Sequence, residues 1–371
     1  MTNELAANQE NPDAMQETSD RKRRRILGTF VGLALVAVAA ILIAEFDAGI
    51  SAWFKARGVA KNPLEFPLIA AALGLIVNGL LRGTKTYAFV EPGIKTELFL
   101  KIGLVLMGAR VSLPDLVTKG AGGLIQAVIM VAAVFFFTWW LATRLRIPET
   151  LKAVMACAVS ICGVSAAIAA AGAVLAKKKE ITYVTALVIV TALPLMALMP
   201  WIAQAIGLPA DVAGAWFGGN IDTTAAVVGA GTIHGEEAQA VATVVKMAQN
   251  AFIGIAAFLL ATYFVVRVER KPEEKPGVSM IWQRFPKFVL GFALMSILAS
   301  FGVFSPAAIG TIKVLYKWAF AMAFFSIGLE LSLRELGKMG WRPIVVYMSA
   351  TVFNTVLALG VAALIFGMLG L

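Results

Sequence analysis

The residues best suited to bind a ligand cluster at two glycine-rich breaks in otherwise apolar sequence, 160–165 and 219–224. Both breaks carry hydroxyl groups, and the second adds an amide and a carboxylate. A helix that restarts after a break exposes N–H groups with partial positive charge, which suit an anion, whereas the carbonyl groups of the preceding helix end suit a cation. The predicted substrate-binding residues at the breaks are Ser160, Cys162, Gly163, Ser165, Gly219, Asn220, Thr223 and Thr224.

Ionisable side chains within apolar runs are a second set of candidates, because each costs at least ~2.5 kcal/mol at the centre of a bilayer. Asp222 is the predicted ion-coupling residue, with helix N-capping as the alternative role. Lys246 and Asn250 share a helix face, so we predict that they contact an anionic substrate; Lys246 alternatively pairs with Asp222 or extends to the membrane surface. Arg110 is a further candidate anion contact, and Glu330 a candidate proton carrier.

The composition indicates which elements must position these residues. The 371-residue chain is 60% hydrophobic and 15% charged, with a mean hydropathy of +0.83. These values disfavour a soluble enzyme, a disordered protein and a disulfide scaffold, and they indicate an all-α polytopic membrane protein. An intramembrane enzyme is also disfavoured, because the chain has a single histidine and isolated acids rather than clustered catalytic groups.

Apolar windows predict about eleven membrane segments and a division of the chain into four regions. The windows are 26–44, 66–82, 96–112, 121–142, 151–176, 183–203, 212–233, 243–266, 286–303, 314–332 and 344–370. The regions are a disordered cytoplasmic tail (1–25), a first transmembrane half with both broken helices (26–266), a cytoplasmic linker (267–285) and the C-terminal segments (286–371).

Clusters of lysine and arginine orient these segments. The cluster 21–25 precedes the first window, and further clusters follow windows two, four, eight and ten. The positive-inside rule therefore predicts a cytoplasmic N-terminus and an external C-terminus. The broken windows 151–176 and 212–233 either cross the membrane as two half-helices or re-enter as hairpins; three lysines at 177–179 favour hairpins.

A repeated pattern suggests two halves of opposite orientation. Gly-Ala-Arg-Val-Ser-Leu-Pro-Asp-Leu at 108–116 matches Gly-Leu-Glu-Leu-Ser-Leu-Arg-Glu-Leu at 328–336, an offset of 220 residues. The two copies lie at the ends of the windows 96–112 and 314–332, which run in opposite directions. Inverted-topology repeats combined with interrupted helices are typical of secondary transporters, whose substrate sites lie at the breaks.

Four runs resemble the YeiH-type family of sulfate exporters: Ser-Ile-Cys-Gly-Val-Ser-Ala (160–166), Gly-Ala-Trp-Phe-Gly-Gly-Asn (214–220), Val-Ala-Thr-Val-Val-Lys (241–246) and Leu-Val-Leu-Met-Gly-Ala-Arg-Val-Ser-Leu (104–113). The resemblance covers essentially the whole chain after the N-terminal tail. The resemblance implies that the chain is grouped with cation–proton antiporters and bile-acid-type transporters. The chain departs from the commoner pattern at 221–224, where Ile-Asp-Thr-Thr replaces a His-Glu or His-Asp pair.

We therefore expect a secondary active transporter that exports a small anion (sulfate-like, sulfite or an organosulfonate) across the inner membrane. Na+ or H+ is the expected coupling ion, and no other cofactor, metal or nucleic acid is expected. The partners expected are membrane lipid, the anionic substrate and a second copy in a homodimer, the last by analogy of fold alone. The alternative is a sodium/proton antiporter, with a channel as the third candidate.

Overall fold

A computed structural model describes residues 12–56, 66–111, 113–268, 279, 282, 285–331 and 340–370. Within these ranges the regular structure is helical throughout. The α-helices are α1 (Pro12–Ala56), α2 (Phe66–Gly83), α3 (Tyr87–Val90), α4 (Thr96–Met107), α5 (Leu113–Arg144), α6 (Glu149–Cys157), α7 (Val164–Ala173), α8 (Lys178–Ala205), α9 (Ala210–Asn220), α10 (Thr224–His234), α11 (Glu236–Asn250), α12 (Phe252–Tyr263), α13 (Phe288–Ser300), α14 (Pro306–Glu330) and α15 (Trp341–Ala362).

Seven of the described helical stretches are long and apolar enough to cross a membrane. They are Lys22–Trp53, Phe66–Gly83, Leu116–Arg144, Lys178–Ala205, Glu236–Val266, Pro306–Glu330 and Trp341–Met368. Of the other predicted windows, two contain the breaks, and two correspond to α4 and α13, which have only 12 and 13 residues. The all-helical class is confirmed, whereas the count of about eleven membrane segments is not.

The N-terminal region differs from the prediction of a disordered tail over 1–25. Residues 1–11 lie outside the described residues, but α1 begins at Pro12 and continues through the basic run into the apolar segment. The polar part of this helix is rich in residues of good helix propensity, such as Arg, Lys, Gln and Glu, so the helix extends beyond the apolar window. The predicted linker, 267–285, lies mostly outside the described residues.

The first broken window forms a re-entrant hairpin. α6 continues as a π-helical turn to Cys162, the chain reverses at Gly163, and α7 returns. The hairpin ends where it began, because the Thr150 hydroxyl at the start of α6 donates to the Glu180 carboxylate in the first turn of α8, at 3.0 Å. Residues 177–179, which follow the hairpin, therefore lie on the side from which it enters.

The second broken window is also a hairpin, and α11 shows its course. A Cβ built at Gly214 on α9 would lie 2.6 Å from the Ala238 carbonyl oxygen, and one at Gly231 on α10 would lie 2.6 Å from Gln239 Cα. The far ends of α9 and α10 lie at the opposite end of α11, where Asn250 binds Thr224. α9 and α10 therefore run antiparallel along one helix. These glycines permit the close helix contacts that membrane interfaces favour.

The two hairpins enter from opposite ends of the continuous α11–α12 segment and meet near its middle. The first hairpin starts beside the end of α12, where Lys152 on α6 and Tyr263 on α12 both contact the Trp139 ring. The second starts beside the beginning of α11. Their tips therefore meet roughly halfway along the membrane-spanning stretch Glu236–Val266.

Buried apolar side chains form two clusters, which divide the described helices into two bundles. The hairpin bundle contains α5 to α12 and α15, and the scaffold bundle contains α1, α2, α4, α13 and α14. Helices α2, α8, α10 and α11 contribute residues to both clusters and so form the interface. Within the scaffold bundle, Gly74 on α2 and Gly328 on α14 bring the two backbones into contact: a Cβ at Gly328 would collide with the Ala71 carbonyl oxygen.

Helices α4 and α14 lie side by side and antiparallel. Thr96 at the start of α4 contacts Glu330 at the end of α14, and Arg110 just after α4 contacts Tyr316 nearer the start of α14. This arrangement has the opposite directions expected for windows three and ten. The inverted repeat itself remains a prediction.

Candidate functional site

The tips of the two hairpins pack directly against each other. Gly163 adopts φ +62° and ψ −113°, a conformation that glycine readily adopts and other residues rarely do. A Cβ there would lie 3.4 Å from Thr223 Cγ2 and 3.5 Å from the carbonyl carbon of Asp222. Helices α7 and α10 both begin at the tips, and α6 with its π turn and α9 both end there. Four helix ends therefore meet in the middle of the protein.

A cavity of about 520 Å³ lies beside the tips, and the start of α13 forms part of its lining. We call it the tip cavity. Its polar lining comes from both bundles, with Ser165, Thr224 and Asn250 on the hairpin side. The lining also includes Glu97, Lys101, Cys162 and Lys287. Ser165 and Thr224 lie in the first turns of α7 and α10, where helix N–H groups lack intrahelical partners.

The carbonyl ends of the two broken helices are occupied by the protein's own donors. The Lys246 ammonium donates to the Ile161 carbonyl oxygen at 2.5 Å and to Gln249 Oε1 at 2.8 Å. The Gln249 amide donates to the Ser160 carbonyl oxygen at 2.8 Å. Asn354 on α15 donates to the Asn220 carbonyl oxygen at 2.9 Å. Oxygens that would suit a dissociable cation are therefore already paired.

Lys246 lies behind the tips and is almost completely buried, and it is absent from the tip cavity lining. Its Nζ is held against a helix C-terminus, where positive charge is electrostatically favourable. Lys246 therefore lies away from the tip cavity, and its contact with an anion stays a prediction. The residue instead positions the first hairpin tip.

Asp222 is buried between the second tip, α8 and α15. The Tyr347 hydroxyl donates to Asp222 Oδ2 at 2.7 Å, and the Thr191 hydroxyl approaches the same oxygen at 3.4 Å. Asp222 Oδ1 is buried and has no hydrogen-bond partner in the described part of the chain. Helix capping at this break belongs to Thr223, whose hydroxyl accepts from the Ala226 N–H at 3.2 Å. Asp222 is therefore not the N-cap, the alternative role considered for it.

A carboxylate of the protein itself occupies the start of α7 in the tip cavity. The Ser165 hydroxyl donates to Glu97 Oε1 at 2.8 Å, and the Lys101 ammonium binds Glu97 Oε2 at 2.8 Å. Glu97 is on α4, so this contact joins the scaffold bundle to the hairpin bundle. The position thus accepts an anionic oxygen at a helix N-terminus, as the helix dipole favours.

Asn250 completes the polar wall of the tip cavity. Its Nδ2 donates to Thr224 Oγ1 at 3.2 Å, and its buried Oδ1 has no partner among the described residues. A hydroxyl both donates and accepts, so the contact with Thr224 survives a 180° rotation of the amide. After that rotation the amide presents two donors to the unpaired position.

Arg110 and Glu330 are not brought to the tip cavity lining. Arg110 binds Glu236 at 2.6 Å and donates to the Tyr316 hydroxyl at 2.7 Å, and Lys313 binds the same Glu236 at 2.6 Å. We call these residues the Arg110 cluster. It joins the two bundles about 21 Å from Asn250 along α11, from the helical rise per residue. Glu330 accepts a hydrogen bond from Thr96 at 2.6 Å.

The other predicted residues are structural parts of the tips. Ser160 donates to its own helix, Gly219 packs against the Gln126 amide, and Asn220 exchanges hydrogen bonds with α8 and α15. Glu97 and Tyr347 are not among the residues predicted from the sequence. Glu97 had a detectable signal, an acid at the edge of an apolar window, whereas nothing in the sequence distinguishes Tyr347. Among the described residues, no group of three or more His, Cys, Asp or Glu side chains is placed to hold a metal ion.

The fold and site define an all-helical membrane protein in which two re-entrant hairpins meet beside a polar cavity. The chain belongs to the family described as conserved hypothetical protein 698, whose model matches residues 29–347. The YeiH-type resemblance fits this family.

Relatives in several bacteria are named membrane proteins. The chain is 41% identical over 329 residues to a UPF0324 membrane protein of Rhodopirellula baltica, covering 85% of this chain and 60% of the relative. It is 36% identical over 361 residues to one of Nitratidesulfovibrio vulgaris, covering 92% and 60%. It thus spans about 60% of the length of these two relatives. A Rhizobium meliloti relative is 32% identical over 341 residues, covering 89% and 90%. No solved structure matches the chain.

Proposed function

We propose that this protein is a secondary transporter of a small oxyanion, such as sulfate, sulfite or an organosulfonate, which binds in the tip cavity. Alternating access between the two bundles would export the anion across the inner membrane. The observation that carries the proposal is the asymmetry of the four helix ends. Lys246, Gln249 and Asn354 pair with carbonyl groups at the C-terminal ends, whereas the two N-terminal ends border the cavity. An anion is the ligand that such N-terminal ends favour.

The Glu97 carboxylate gives further support. It lies where the proposed anion would bind, and its partner Ser165 is on the other bundle. An incoming anion would replace this carboxylate at Ser165, so anion binding would separate Glu97 from the hairpin bundle. Such an exchange provides the differential contact that an alternating-access transition requires.

The second candidate function is sodium/proton antiport. It is favoured by one observation, the buried Asp222 carboxylate oxygen that has no partner among the described residues. In a secondary transporter of anions, the same carboxylate would carry the coupling proton. The two functions therefore predict different ligand responses. The transporter binds an anion in the tip cavity, whereas the antiporter binds sodium at Asp222.

Thermal unfolding of the purified protein distinguishes the two functions. Sulfate, sulfite and methanesulfonate are added as sodium and as choline salts, at two pH values, because a bound ligand stabilises the native state by RT ln(1 + [L]/Kd). We expect stabilisation by an anion with either cation. Stabilisation by sodium alone, abolished in Asp222→Asn, would instead favour antiport.

Ser165→Ala tests the anion site directly. Because Glu97 holds the same hydroxyl in the free protein, this variant and its control are compared in the Glu97→Gln background. Loss of one hydrogen bond to a charged group is worth about 1.5–3 kcal/mol, so we expect anion binding to weaken there by about tenfold to a hundredfold. Thr182→Val is the matched control, because the exposed Thr182 hydroxyl bonds only within α8. Equal anion affinities in the two variants would contradict the proposed site.

For Glu97→Gln we expect the opposite change in anion affinity. The variant removes the carboxylate that competes for Ser165, so we expect anion binding to tighten by about tenfold, if about one charged hydrogen bond is relieved. Glu149→Gln is the control, since Glu149 is likewise a half-exposed acid paired with a lysine, Lys152, and is not in the cavity lining. Weaker anion binding in Glu97→Gln would show that the carboxylate is not a competitor.

A further inference from the structure

A second polar cavity, which the proposed transport function does not use, lies at one end of the scaffold bundle. It has a volume of about 650 Å³. Its described lining residues are Arg24, Arg25, Lys85, Thr86, Ala88, Phe89 and Pro92, so it combines three cations with no carboxylate. We call it the basic cavity.

Glycine contacts join the two segments that line the basic cavity. A Cβ at Gly28 on α1 would collide with the Phe89 carbonyl oxygen, and one at Gly32 would lie 2.9 Å from Gly93 Cα. These contacts hold α1 against the segment that follows α2. Cations from segments 60 residues apart therefore converge because of the packing, and they are not merely the charged end of one helix.

The backbone at Lys85 places a cation at the basic cavity. Lys85 has φ +60°, in the left-handed region that favours glycine, just after α2 ends. Its side chain lines the cavity together with the two arginines of α1.

The surroundings of the basic cavity identify the anion. Ile26, Leu27 and Phe30 follow the two arginines on α1, and all three side chains are about half exposed or more. Apolar side chains exposed next to clustered cations mark the boundary between hydrocarbon and headgroups. A free anion makes no favourable contact with that apolar surface, whereas the acyl chains of a phospholipid pack against it.

We propose that the basic cavity binds the anionic phosphate headgroup of a membrane phospholipid, whose acyl chains lie along the exposed apolar face of α1. The segment that lines the basic cavity leads into the start of α4, where Glu97 and Lys101 line the tip cavity. The lipid would hold α1 and the segment after α2 together at the membrane surface.

The test uses the purified full chain in a neutral detergent, with dioleoyl phosphatidylglycerol or dioleoyl phosphatidylcholine titrated in and binding measured by native mass spectrometry. We expect preferential binding of phosphatidylglycerol. Removing all three cations (Arg24→Gln, Arg25→Gln and Lys85→Gln) should weaken that binding about a hundredfold, from about fivefold for each charge. The matched control removes three cations elsewhere (Arg144→Gln, Arg146→Gln and Lys178→Gln) and should change binding less than about fivefold.

Equal loss of lipid binding in the two triple variants would overturn the proposal, because it would show only general attraction to positive charge. A third arm adds inorganic phosphate. If phosphate competes as well as the lipid at equal concentration, the lipid as occupant is wrong.

Lys85→Gly gives an independent readout. It removes one charge and relieves the left-handed backbone, so we expect higher stability without lipid but about fivefold weaker phosphatidylglycerol binding. A rise in stability with unchanged lipid binding would contradict the proposal. None of these outcomes depends on whether the tip cavity transports an anion.

Discussion

Gly163→Ala tests how the first hairpin tip is built. The substitution forces an L-residue into φ +62°, ψ −113°, and it places a Cβ 2.5 Å from Val188 Cγ1. Backbone strain of this kind costs about 1–3 kcal/mol, and overpacking in a filled interior costs about 1–3 kcal/mol. The free energy of unfolding should therefore fall by about 2–6 kcal/mol.

The two contributions to that loss are separable. In Gly163→Ala with Val188→Ala, the colliding methyl group is absent but the backbone strain remains. We therefore expect the double variant to be less destabilised than the sum of the two single variants, by about 1–3 kcal/mol. Equilibrium unfolding in sodium dodecyl sulfate, followed by far-ultraviolet circular dichroism, measures all four proteins of the cycle.

Gly79→Ala is the matched control for the same chemical change. A Cβ at Gly79 on α2 would have nothing within 4 Å, so alanine should stabilise the helix by about 0.5–1 kcal/mol. If Gly163→Ala were as harmless as Gly79→Ala, the reversal at the tip would not require glycine. If the two substitutions at Gly163 and Val188 were additive, the steric part of the reasoning would be wrong.

Two further substitutions test charged groups at contrasting positions. Lys246→Met leaves the Ile161 carbonyl and the Gln249 side chain without their donor, so the free energy of unfolding in the same assay should fall by about 2–6 kcal/mol. Lys119→Met, at a partly exposed ion pair, should lower it by less than about 1 kcal/mol. Equal losses in the two variants would refute the contrast. Arg110→Gln breaks a partly exposed cluster and should also cost less than about 1 kcal/mol; the loss should shrink at high salt, and a loss that salt leaves unchanged would contradict this account.

The breaks were predictable because their signals are local. Glycine and small polar residues interrupt apolar runs at 160–165 and 219–224, and backbone interrupted inside a membrane must be paired or line a cavity. Hydropathy did not distinguish crossing from re-entry, since both leave the parity of the other segments unchanged. Only the lysines at 177–179 favoured hairpins, in agreement with the structure.

The side-chain contacts of the site were not predictable, because the residues that contact each other are distant in sequence. Glu97 and Ser165 are 68 residues apart, and Tyr347 and Asp222 are 125 apart. Arg110 illustrates the same limit: charge alone suggested an anion contact, but its depth along the bundle depends on which helices surround it. The sequence placed Lys246 within an apolar run and left open whether it meets an anion, Asp222 or the membrane surface, but it did not indicate that a helix C-terminus would be its acceptor.

The glycine contact between α2 and α14 determines which parts of the scaffold bundle open together in thermal fluctuations. Gly74 and Gly328 leave no side-chain layer between the two backbones, so neither helix slides without a collision with a carbonyl group. The amides around both glycines should therefore open to hydrogen exchange together, as one cooperative unit. Exchange in the tips, where helices end and restart, should follow a separate and faster opening. An exchange map of the protein would thus divide along the boundary between the two bundles.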